Sequence, residues 1–138
     1  MDMTLFPGEA AGPLLVLQAP LSFWGGVDPA TGCIIAVRHP QCGQSIAGSL
    51  LVVPDPIGSS SSSSVLLELI RLGLAPAGIV LGRPDAILVV GCIVAREMGY
   101  APPPVLLLAG ASGIAGQHGR IEGGRLICSS PILAKGDL

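Results

Sequence analysis

Apolar and polar positions alternate between two periods along the chain. Residues 49–54, Ser49-Leu50-Leu51-Val52-Val53-Pro54, form a continuous apolar run that reads as a buried strand. After Gly58 and six serines, Leu66, Leu69, Ile70 and Leu74 recur at helical spacing, and Gly73 with Arg71 before it marks the helix end. The pattern predicts a helix over residues 61–72 and a following strand over 77–81, a strand–helix–strand unit with parallel strands. A second helix is expected over 86–98, with Asp85 as N-cap and Gly99 as stop. It is apolar nearly all round and is expected to be buried on two sides. Further strands are expected over 13–18, 33–37, 46–54 and 105–108, with a turn and closing strand over 120–128. Residues 7–12 read as a turn-rich entry and 110–119 as a flexible glycine loop, which does not fit G-x-G-x-x-G.

Composition changes this picture in one respect. Half of the 138 residues are apolar and 12% are charged, which leaves few charges to cover a free surface, so some apolar area is expected to face a partner. The length suits one domain, residues 1–138, with no internal repeat. A net charge of −2 and 3% aromatic residues give no footprint for nucleic acid. Residues 86–95 are too short a run for a membrane span and the N-terminus lacks a basic, signal-like segment, so a cytoplasmic location is expected. Cys33, Cys42, Cys92 and Cys128 show no C-x-x-C and no histidine at ligand spacing. They are read as small core residues, and no metal is placed on this chain.

The candidate chemistry gathers at Gly58-Ser59-Ser60-Ser61-Ser62-Ser63-Ser64. A polar turn entering a helix exposes N–H groups without intrahelical partners at the positive end of the dipole, a setting that favours a carboxylate or phosphate. A flexible serine tract, or a plain helix cap, is the competing reading. Phe23-Trp24-Gly25-Gly26 holds the single tryptophan before a glycine pair and reads as a core anchor ahead of a substrate contact. His39, in the polar stretch Arg38-His39-Pro40-Gln41-Cys42-Gly43-Gln44-Ser45, reads as a backbone-bonded loop residue ahead of a general acid or base.

Residues 20–32 (Pro20-Leu21-Ser22-Phe23-Trp24-Gly25-Gly26-Val27-Asp28-Pro29-Ala30-Thr31-Gly32), 39–45, 58–66, 75–80 and 85–94 together resemble the small subunit of the aconitase X family, hydro-lyases related to aconitase. The resemblance covers residues 9–108. It implies an α/β fold, a swivelling β/β/α domain that closes over the active site of a large catalytic subunit. That subunit would carry most substrate contacts and any iron–sulfur cluster, with no cofactor on this chain. Ser59 matches the family's serine proton acceptor, which works only where neighbouring donors stabilise the alkoxide. Ser60, Ser61, Trp24, Gly25, Gly26 and His39 are the accompanying substrate-binding candidates. A basic residue commonly precedes the Gly-Ser pair in the family; here Asp55-Pro56-Ile57 stands there, so a cation for the site is expected from the partner. The family's substrates are cis-3-hydroxy-L-proline and 5-phosphomevalonate, and Phe23-Trp24-Gly25-Gly26 with the unbroken serine run resembles the hydroxyproline dehydratase branch. A non-catalytic assembly module is the alternative from another class.

Overall fold

A computed structural model describes residues 2–129. The strands β1 (Met3–Phe6), β2 (Ala10–Val16), β3 (Leu50–Val53), β4 (Gly78–Leu81), β5 (Val105–Leu107), β6 (His118–Glu122) and β7 (Arg125–Ser129) form one curled sheet in the order β1-β5-β4-β3-β2-β6-β7. Strands β2, β3, β4 and β5 run parallel. The remaining pairs, β1 with β5, β2 with β6 and β6 with β7, are antiparallel. Two helices, α2 (Ser62–Leu72) and α3 (Ala86–Glu97), make the crossovers β3→β4 and β4→β5, and a single turn, α1 (Phe23–Gly26), precedes them. This is the expected α/β architecture, with the curl supplied by β2. Residues Ala10 to Pro13 of β2 pair with β6, and Leu14 to Val16 pair with β3, so one strand serves two directions of the sheet.

Period-2 alternation sorts the strand side chains into two cores. Leu51, Val53, Ile79, Leu81 and Val105 pack with Val65, Leu66, Leu69 and Ile70 of α2 and with Leu88, Cys92 and Ala95 of α3. Leu50, Val52, Val80 and Leu106 face the other way, onto Ile121 of the β6–β7 hairpin and Ala111. Every residue of β3 and β4 is buried, because each strand is covered on both faces. Parallel strands of this kind leave their carboxyl ends in common at one edge, where the connecting loops carry ligands in open α/β sheets.

Several local expectations are corrected. Residues 33–37 form no strand; Cys33 and Ile34 make only isolated bridges to Ser45 and Val27. The strand expected over 46–54 begins at Leu50, the turn-rich entry over 7–12 is shortened because β2 starts at Ala10, and before it lies β1, an edge strand held by β5. Residues 118–129 form a hairpin of two strands where one was expected. Helix α3 is buried on one face, with Val90, Ile93 and Val94 exposed. Only Cys92 is a core thiol; Cys42 and Cys128 are exposed and Cys33 is half-buried. No helix among the described residues is long and apolar enough to cross a membrane.

Candidate functional site

The loop from β3 to α2 leaves the carboxyl edge of the sheet and carries the serines. Gly58 has φ +125, and a Cβ there would lie 2.1 Å from the Ser22 hydroxyl oxygen, so glycine is required both for the backbone and for the close approach. Ser59 follows, exposed. The Ser61 N–H donates to its Oγ at 3.2 Å, and its carbonyl accepts from the Ser62 N–H at 3.0 Å, so Ser59 opens the first turn leading into α2. The hydroxyl therefore stands at the positive end of an eleven-residue helix with one backbone donor already aimed at it. Ser61, half-buried, is the backbone N-cap and makes no side-chain capping bond, and Ser60 is exposed in the turn.

The serines divide between solvent and scaffold. Ser62 is buried, and its Oγ accepts from the Trp24 N–H at 3.1 Å, tying α1 to the start of α2. Ser22 Oγ donates to the Trp24 carbonyl at 2.8 Å. These two residues hold the site and were missed at the level of sequence. Ser62 lies one turn after Ser59, a spacing that could have marked it as the inward-facing member of the run. Trp24 is 58% exposed, so the core anchor is its neighbour Phe23, which is buried. Gly25, at φ +80, lets the backbone turn there. Gly26 is buried, and a Cβ on it would fall 2.9 Å from Leu21 Cδ1, so its role is packing.

His39 lies elsewhere in function. It is 7% exposed, its Nδ1 accepts from the Gln41 N–H at 3.0 Å, and its Nε2 lies 3.1 Å from the Ala19 carbonyl. With Nδ1 accepting, the ring proton sits on Nε2 and donates to that carbonyl. Gln41 completes the clamp, donating to the Val16 carbonyl and accepting from the Gln18 N–H, both at 2.9 Å. The expectation that His39 contributes to the pocket is corrected: both ring nitrogens are engaged, Nε2 with the Ala19 carbonyl and Nδ1 with the Gln41 N–H, so the ring holds the loop together.

That clamped segment forms one wall of a cleft of about 130 Å³ at the carboxyl edge, with Leu17, Gln18, Ala19 and Pro20 on one side and Pro54, Asp55 and Ser112 on the other. Segments 17–22 and 54–59 run side by side, joined by the parallel bridge between Leu21 and Pro56. A larger apolar cleft of about 350 Å³ lies along α3 and Leu5; its one carboxylate, Asp85, is spent capping the Ile87 and Leu88 N–H groups. It therefore offers no chemistry. Among the described residues no three His, Cys, Asp or Glu side chains converge as a metal site, and the residues present do not fit an iron–sulfur cluster.

The chain is similar to several known proteins. Over 105 residues it is 49% identical to the cis-3-hydroxy-L-proline dehydratase of Pseudomonas aeruginosa, covering 76% of this chain and 18% of that protein. It is 48% identical over 80 residues to the phosphomevalonate dehydratase small subunit of Methanopyrus kandleri, covering 58% of this chain and 59% of the relative. The crystal structure of Thermococcus kodakaraensis aconitase X in its holo form superposes with a TM-score of 0.76 at 33% identity, over 86% of each chain. The chain thus spans under a fifth of the length of the hydroxyproline dehydratase it matches. The model of the aconitase X swivel domain matches residues 2–115, taking in the parallel strands, both crossover helices and the serine loop, and the chain belongs to that family.

Proposed function

We propose that this chain is the swivel component of a hydro-lyase that dehydrates cis-3-hydroxy-L-proline, acting together with a large catalytic component of the aconitase X type. The observation that carries the reading is the position of Ser59: an exposed hydroxyl at the carboxyl edge of the parallel strands, at the mouth of α2, with a backbone N–H donating to it. Loss of water from a β-hydroxy acid needs a base at the Cα–H. A free serine hydroxyl is too weakly basic near neutral pH, and the helix dipole with the Ser61 N–H stabilises the alkoxide. The Ser59 alkoxide takes the Cα proton, the C–H electron pair forms the new double bond as the C–O bond breaks, and the departing β-hydroxyl takes that proton back from Ser59 to leave as water and regenerate the alkoxide. Ser60 and Ser61 offer hydroxyls beside it for the substrate. Any iron–sulfur cluster belongs to the large component, and no step assigned to this chain depends on one.

Among relatives, 49% identity to a hydroxyproline dehydratase supports the amino-acid substrate. The 5-phosphomevalonate reading has its own support in the small-subunit relatives from Methanopyrus kandleri and Methanothermobacter thermautotrophicus, at 48% and 42% identity. Those relatives also support a separate large subunit as partner. The test is to assemble the chain with its large component and assay both substrates with Ser59→Ala beside wild type. The expected result is a loss of kcat of roughly 10²–10⁴-fold for the variant, the range of a lost general base, with the assembly intact by size-exclusion chromatography. Activity within a few-fold of wild type would remove Ser59 from the mechanism and leave the assembly-module reading.

A further inference from the structure

Four ion pairs occur among the described residues, and three of them join side chains no more than three positions apart within one helix or hairpin or beside it. The fourth, Arg83 with Asp55, spans two loops of the carboxyl edge, with Nε 3.5 Å from Oδ1. It is placed there by backbone contact. A Cβ on Gly82 would lie 2.3 Å from the Pro54 carbonyl oxygen, so the β4–α3 loop rests directly on the loop that leads to Ser59. Asp55 lines the cleft, and its carboxylate is paired with the Arg83 guanidinium. Both side chains are more than half exposed, and an ion pair in water contributes little stability, so the pair is no brace for the fold.

Its charges are therefore free to be shared. When another surface covers this edge and excludes water, two partly desolvated charges demand good partners, and a ligand with one charge of each sign supplies them. Resting on the dehydratase reading above, we propose that Asp55 and Arg83 determine substrate specificity. Asp55 takes the ring ammonium of a zwitterionic cyclic amino acid, and Arg83 takes its carboxylate through the planar fork suited to that group. A phosphate ester carries only negative charge, meets Asp55 at the same place, and is rejected by it. Asp55, three residues ahead of Gly58, thus becomes the selective element of the site.

The test uses the assembled enzyme with Asp55→Asn and Arg83→Gln, each measured on cis-3-hydroxy-L-proline and on 5-phosphomevalonate. Loss of a charged hydrogen bond predicts KM for the amino acid raised about tenfold or more, with kcat within about threefold and Tm essentially unmoved. Asp55→Glu is expected to restore most of the affinity, which a purely structural role would not require. If wild type dehydrates the amino acid and both variants keep KM within about twofold, or lose kcat alone, the specificity proposal is overturned while the dehydratase reading stands. Turnover of the phosphate ester in place of the amino acid overturns the pair's role and keeps the dehydratase. An assembled wild type inactive on both substrates overturns both.

Discussion

Gly58 is the residue at which a single added methyl group does most to the site. Its φ of +125 disfavours any side chain, and the Ser22 hydroxyl occupies the space a Cβ would fill. Gly58→Ala is expected to cost about 1–3 kcal/mol in urea unfolding of the isolated chain. It should also lower kcat in the assembled enzyme, because Ser59 is the next residue and moves with it. A stability within a few tenths of a kcal/mol of wild type would mean the loop relaxes freely and does not fix the hydroxyl. His39 and Gln41 teach the complementary lesson: two polar side chains hold the cleft wall from inside through three hydrogen bonds to the backbone of residues 16–19, and a fourth joins them to each other. A histidine with both nitrogens engaged is a buckle for the loop, and its chemistry is spent there.

At the scale of elements, the two crossover helices begin differently, and the difference follows their roles. Helix α3 has a conventional cap: Asp85 Oδ1 accepts from the Ile87 N–H at 2.9 Å and from the Leu88 N–H at 3.3 Å. Asp85→Ala is therefore expected to lower stability by about 1 kcal/mol, read from the urea midpoint at unchanged m-value. No loss would mean that packing of Leu88 and Cys92 alone fixes the helix start. Helix α2 has no side-chain bond at its N-cap Ser61, and its leading donor points back at Ser59. One helix closes its N-terminus with a carboxylate. The other leaves its dipole facing outward, where a developing alkoxide can use it.

Across the whole molecule, the buried thiol of Cys92 links the core to pH. Burial pushes its pKa up from 9.0 to about 12, since the folded interior disfavours the thiolate. The unfolded chain releases this proton near pH 9 and the folded chain only near 12, so the stability is fully present below about pH 9 and is lost as pH rises toward 12. Thermal unfolding between pH 8 and 11 should show Tm falling, and Cys92→Ala should flatten that slope while lowering Tm at pH 8. An equal slope in both proteins would assign the alkaline loss to other groups. The exposed Cys42 and Cys128 are expected to react with iodoacetamide in the native protein before Cys92 does.

The chain by itself determined the run from β3 to β5 and the serine turn within it. Apolar periods, the Asp85 cap and the Gly73 stop are all signals carried within a few residues, and local backbone preference follows them. Strands β1 and β6 were not legible, since short edge and hairpin strands are held by partners far away in sequence. The same limit applies to the site. The serine turn was legible and the family resemblance singled out Ser59 within it, whereas the bond of His39 to Ala19 and the meeting of Asp55 with Arg83 join residues distant along the chain, and the exposure of Trp24 follows from packing. Sequence decides what a segment does with its own backbone; only the packed sheet, by bringing four parallel strands to one edge, decides which side chains share a cleft and which are used up in building it.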